Sequence, residues 1–113
     1  RGAVGSLEYS LEHLHIPLVL ILGHSRCGAV TAAVAGRPGP GSVDWVVNAI
    51  RPAVWATASA PGDAVENAAR EHARRTSSDL VRMSALLHEA VERRHLSIVS
   101  AYYELVSGSV EFL

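Results

Sequence analysis

Leu18-Val19-Leu20-Ile21-Leu22-Gly23-His24-Ser25-Arg26-Cys27-Gly28 is the stretch on which the fold turns. Residues 18–22 form an unbroken apolar run, the habit of a strand buried on both faces of a parallel sheet sandwiched by helices. Gly23 closes the run, and the small residues from Cys27 to Ala35 suit a helix, so a strand-to-helix turn lies between them. In an open α/β sheet, ligands bind in the crevice beyond the carboxyl ends of the strands. His24 and Cys27 therefore lie where chemistry is expected.

Before this stretch, Val4, Leu7, Leu11 and Leu14 fall at the three-and-four spacing of a helix face, with Ser6 as its N-cap and Ile16-Pro17 as its end. After it, Gly36-Arg37-Pro38-Gly39-Pro40-Gly41 is a loop. Ser42 caps a second helix whose Val43, Val46, Val47 and Ile50 face one way, and Pro52 marks a kink or an end. The run from Trp55 to Ala60 fits neither helix nor strand clearly. Asp63 and Glu66 have the spacing of a capping box. Beyond them Val65, Ala69, His72, Ala73, Thr76, Leu80, Met83, Leu87 and Val91 line one stripe, which Ser77-Ser78 could divide into two helices. Glu66/Arg70, Glu71/Arg75 and Glu89/Arg93 are i,i+4 pairs on the solvated face. Leu96 to Leu105 is rich in β-formers, and Ser107-Gly108-Ser109 separates it from Val110-Glu111-Phe112-Leu113, a closing hairpin.

These elements predict an α/β fold: a mostly parallel central sheet flanked by helices, with a C-terminal hairpin edge. Residues 1–113 read as one domain. The strands are few against the usual five or six of a sheet. With Arg1 rather than methionine first, that shortage leads us to expect a domain lacking its N-terminal part, including at least one central strand.

Composition narrows the function. Of 113 residues, 49% are apolar, 19% charged and 5% aromatic, and the net charge is −1. The cations are all arginine, and neither sign forms a block, so there is no electrostatic footprint for nucleic acid or an anionic membrane. The longest apolar run, Ile16 to Leu22, falls far short of the roughly 20 residues of a spanning helix. A single cysteine cannot close an intrachain disulfide, which fits a reducing, cytoplasmic compartment. It leaves Cys27 as either an inert thiol or a ligand. Trp45, Trp55, Tyr102 and Tyr103 read as packing residues. His13, His15, His72, His88 and His95 have no metal spacing with one another, and His72, on the apolar stripe, reads as a core or interface residue.

A histidine and a cysteine three residues apart across a strand-to-helix turn can converge on one tetrahedral ion. The imidazole supplies a nitrogen donor, and the start of the helix presents partial positive charge to an anionic sulfur. Gly28 would let the backbone pass close to the ion or its ligand. Ser25 and Arg26 are candidates for contacts around the ligands. The same two residues could instead be a packed free thiol beside a hydrogen-bonded histidine, or a nucleophile and its base. No third group that would orient such a base stands out. Two ligands alone do not make a zinc site, since catalytic sites take three protein ligands and structural ones four.

Val4-Gly5-Ser6-Leu7-Glu8-Tyr9, Pro17 to Leu22, and Gly23-His24-Ser25-Arg26-Cys27-Gly28-Ala29-Val30 together resemble the second metal-ligand block of β-class carbonic anhydrases. Ile98 to Leu105, with Gly108 and Val110-Glu111-Phe112, is similar to that family's closing strand and hairpin. Ile50-Arg51-Pro52 and Glu66-Asn67 resemble its intervening helical region. The resemblance implies a Zn2+ enzyme that interconverts carbon dioxide and bicarbonate, with His24 and Cys27 as metal ligands, and a homodimer or larger assembly. The family's other zinc-binding cysteine and an aspartate–arginine pair belong to a Cys-x-Asp-Ser-Arg motif that these 113 residues do not contain. Beyond the metal ligands, then, no catalytic residue is assigned within the chain. Two alternatives stay open: a non-catalytic binding or assembly module of the same fold, and a hydrolase of carbon disulfide or carbonyl sulfide on the same scaffold.

Overall fold

The computed structural model describes every residue from Arg1 to Leu113. Its sheet has three strands: β1 (Leu18–His24), β2 (Ser97–Tyr103) and β3 (Val110–Phe112), in the order β1-β2-β3. β1 runs parallel to β2, with Leu18 opposite Ser97 and His24 opposite Tyr103. β3 returns antiparallel, with Phe112 opposite Ala101 and Val110 opposite Tyr103. One edge of β1 has no partner strand. Between β1 and β2 run α2 (Gly28–Val34), α3 (Val43–Ala56), α4 (Ala64–Met83) and α5 (Ala85–Glu92), and α1 (Gly2–Leu14) precedes β1. The parallel pairing brings the carboxyl ends of β1 and β2 together, and the His24–Cys27 turn leaves from that end.

Local chemistry sets the element ends, in places differently from the sequence pattern. α1 begins at Gly2, so Ser6 is inside it; its hydroxyl donates to the Gly2 carbonyl at 3.0 Å instead of capping. The helix ends at His15, in the left-handed region at φ 51°, two residues before Pro17. Ser42 is at the N-cap of α3 but makes no side-chain cap bond, and the helix continues through Pro52 to Ala56. Asp63 caps α4 as the pattern predicts, accepting from the Glu66 amide at 2.8 Å. The long stripe breaks at Ser84 and not at Ser77-Ser78. Ser84 is extended, and its hydroxyl accepts from Leu87 N at 3.2 Å and donates to Glu8 at 2.6 Å. Ser77 stays inside α4, its hydroxyl against Ser100 of β2.

The helices cover one face of the sheet, contrary to the two-sided burial that the apolar run predicts. One cluster joins Val30, Ala33, Val47, Ile50, Ala68 and Ala69 to Tyr102. The other joins Val19, Leu80, Leu87, Ala90 and Leu96, with Val4, Leu7, Leu11, Ile21 and Ile98 around it. Alternate strand residues point to opposite faces, so Val19, Ile21 and Gly23 meet the helices while Leu18, Leu20 and Leu22 face outward. In α3 the inward stripe is Val47, Ile50 and Ala53; Val43 and Val46 are exposed. Trp45 and Trp55 are not packing residues, being 81% and 71% exposed. Each lies two positions from a buried stripe residue, about 200° around the helix. Met83, at the end of α4, is exposed too, whereas Tyr102 is buried as expected. The three i,i+4 ion pairs form as the pattern predicts.

Candidate metal centre

β1 delivers His24 to the carboxyl end of the sheet, and α2 takes up the chain with Cys27 as its N-cap. Between them Ser25 is buried, and Arg26 holds φ 57°, a left-handed conformation uncommon for a side chain other than glycine, asparagine or aspartate. His24 Nδ1 lies 2.9 Å from the Ser25 carbonyl oxygen. A carbonyl only accepts, so Nδ1 carries a proton, and in the neutral ring the lone pair is on Nε2. Metal-binding histidines have this arrangement, the second nitrogen fixing ring and tautomer. The Cys27 thiol is in no disulfide and makes no cap bond; the Cys27 carbonyl takes up the Thr31 amide and hydroxyl.

His24 and Cys27 line one apolar cleft of about 320 Å³, with Ile21, Val46, Ile50 and His72 in its walls. Ser25 and Arg26 line a different, polar cleft, shared with Thr31, Asp63, Glu66 and Glu104. The turn thus sorts the candidates: the two donor side chains on one side, the two proposed supporting residues on the other. A Cβ built on Gly28 meets nothing within 4 Å, so nothing in this chain demands glycine there. Two further residues bear on the turn. His72 is half-buried in the wall of the donor cleft, and burial lowers its pKa below the ordinary 6.5, against the opposing pull of the Asp79 charge. Its place between Ala69 and Ala73, which back onto Gly23, was the available signal. Glu104 accepts a hydrogen bond from Ser25 Oγ at 3.1 Å, a contact across 79 positions that no local pattern marks.

No third histidine, cysteine, aspartate or glutamate joins His24 and Cys27 in a group that could hold an ion. His15 and His95 line a separate cleft between α1 and α5. An uncommitted imidazole nitrogen and a free thiol, opening on one cleft, suit zinc as a partial donor set.

The comparisons with known proteins bear on this pair. The sequence profile described as carbonic anhydrase matches residues 1–110. The chain belongs to the β-carbonic anhydrase family. Carbonic anhydrase 2 of Mycobacterium tuberculosis is 34% identical over 112 residues, covering 95% of this chain and 54% of that protein. The carbonic anhydrase of Mycolicibacterium smegmatis is 30% identical over 115 residues, covering 98% of this chain and 56% of that one. The chain therefore spans about half the length of the curated relatives it matches. Among solved structures, the β-carbonic anhydrase CafA of Aspergillus fumigatus superposes with a TM-score of 0.83 at 26% identity, covering 99% of this chain and 55% of that one. A tetrameric β-carbonic anhydrase of Sordaria macrospora shares the fold, with a TM-score of 0.81 at 20% identity, over 99% of this chain and 59% of that one. In β-carbonic anhydrase terms, these 113 residues hold a small mixed sheet, its helices, and a turn with two candidate ligands.

Proposed function

We propose that His24 and Cys27 are two of the zinc ligands of an enzyme for the reversible hydration of carbon dioxide, the remaining ligands coming from polypeptide outside these 113 residues. The observation that carries this is the His24 Nδ1 bond to the Ser25 carbonyl, which leaves Nε2 free on the same cleft as an uncommitted thiol. Zinc bound there would supply a Lewis acid that makes water nucleophilic near neutral pH. The chain's own residues do the rest. The turn holds the two donors, and Ile21, Val46 and Ile50 give the cleft apolar walls that suit a small, uncharged, linear substrate. On this reading residues 1–113 are one carbonic-anhydrase-like domain lacking its N-terminal part. The tetrameric β-carbonic anhydrase of Sordaria macrospora, whose fold the chain shares, supports a homodimer or larger assembly. The lone free cysteine suits the cytoplasm. No helix is long and apolar enough to cross a membrane.

Zinc content and stopped-flow carbon dioxide hydration, measured on the 113-residue chain and on the full-length protein, test the proposal. The full-length protein should hold about one zinc per chain and hydrate carbon dioxide; the 113 residues alone should bind zinc weakly and show no activity. Cys27→Ser in the full-length protein should abolish metal retention while its helical circular dichroism is unchanged. Full zinc retention in Cys27→Ser would refute the ligand assignment, and a full-length protein without zinc would favour a non-catalytic module.

A further inference from the structure

Glu104, the first residue beyond β2, ties together segments far apart in sequence. Its Oε1 accepts from Ser25 Oγ and from Val106 N, each at 3.1 Å. Its amide donates to the Ser109 carbonyl at 2.9 Å, and its carbonyl accepts from Gly108 N at 2.8 Å. Ser25 Oγ in turn accepts from Leu105 N at 2.9 Å, and Ser25 N donates to the Tyr103 carbonyl at 2.9 Å. The β2–β3 hairpin and the turn carrying His24 and Cys27 therefore meet at one carboxylate and one hydroxyl. Ser25 is only 7% exposed, so its hydroxyl relies chiefly on these protein partners.

The turn needs such an anchor. Arg26 is left-handed at φ 57°, a conformation that persists when its surroundings fix it. His24 takes its ring orientation from the Ser25 carbonyl, and Cys27 follows Arg26 directly. Displacing Ser25 would thus move both donors at once.

We propose that Glu104, acting through Ser25, is a positioning residue for the His24–Cys27 pair: the carboxylate sets the turn so that imidazole and thiol open on the same cleft. Glu104 lines the polar cleft on the other side of the turn, so it acts on the donors without joining their cleft. The role needs an acceptor oxygen and no charge, so glutamine should serve where alanine fails. This proposal rests on the zinc reading above and adds to it a residue from the far end of the chain.

The test uses the full-length protein with zinc, and with cobalt(II) as a spectroscopic probe. Ser25→Ala and Glu104→Ala should weaken zinc affinity, measured against a competing chelator, by about 10–100-fold, as loss of a contact behind a ligand does. Both should shift the thiolate-to-cobalt charge-transfer and ligand-field bands. Glu104→Gln should stay within about threefold of wild type and keep its spectrum. The double variant should be little worse than either single, because both remove the same link. If Glu104→Ala does not fold, Ser25→Ala decides, since it leaves the Glu104–Val106 bond intact. Wild-type zinc affinity and cobalt spectrum in a folded Ser25→Ala would overturn the proposal while leaving the ligand assignment standing. A wild-type protein that binds neither metal would overturn both.

Discussion

Of all the side chains near the site, His72 makes the most direct prediction. It sits half-buried in an apolar wall, and burial lowers its pKa below 6.5 while the charge of Asp79 opposes the shift only in part. Between the lowered value and 6.5 the unfolded chain binds the extra proton and the folded chain does not, so stability rises with pH across that window. It is complete above about 6.5 and is lost as the pH falls. The denaturation midpoint should therefore drop more between pH 7.5 and 5.5 in wild type than in His72→Leu. Equal drops would show that His72 titrates as freely when folded as when unfolded. His24 and Cys27 stand out in the sequence as candidate ligands because spacing, residue type and the preceding apolar run agree, and the structure opens both on one cleft. His72 reads as core or interface from its place on the helical stripe and is half-buried, but its position in the wall of the donor cleft, like the contact between Glu104 and Ser25, has no local signal.

The elements were legible where their signal is local. Asp63 three positions before Glu66, the i,i+4 pairs and the glycine–proline loop each act within one turn of chain, and each has the expected structure. The break at Ser84 was missed because the serine pair at 77–78 looks equally fit to end a helix, and only the distant Glu8 and Ser100 distinguish them. Two-sided burial of β1 was also overread, since an apolar run records what a strand can bury and not what covers it. Gly23 shows how tightly the covered side is built. A Cβ there would stand 3.2 Å from the Ala69 carbonyl oxygen and 3.5 Å from the Ala73 Cβ. Helix backbone in α4 and the β1–β2 ladder both resist the shift needed. Gly23→Ala should therefore destabilise the fold by about 1 kcal/mol and Gly23→Val by about 3 kcal/mol, despite the entropy a glycine costs in a strand. Guanidinium melts check this; a neutral Gly23→Val would mean that α4 slides freely on β1.

Across residues 1–113 as a whole the sheet is lopsided. Leu18, Leu20 and Leu22 are 52%, 43% and 47% exposed, and Val110 and Phe112 are 47% and 71% exposed. The register puts Leu22 and Phe112 on either side of the fully buried Ala101, so the exposed apolar side chains of β1 and β3 lie on one face of the sheet, beside the unpaired edge of β1. An apolar strand face next to an open edge promotes self-association. The 113-residue chain on its own should bind a hydrophobic dye and elute as more than one species. Threonine keeps the strand propensity while reducing the apolar surface, so Leu20→Thr with Phe112→Thr should lower dye binding and sharpen the elution profile. Their melting temperature should stay near that of the parent, because neither residue is buried. Val19→Thr is the control: at 6% exposure it faces the helices, and a hydroxyl there should cost about 1–3 kcal/mol. If the outward pair proved as destabilising as Val19→Thr, the outer face would have to be packed within the monomer, and one-sided burial of this sheet would be wrong.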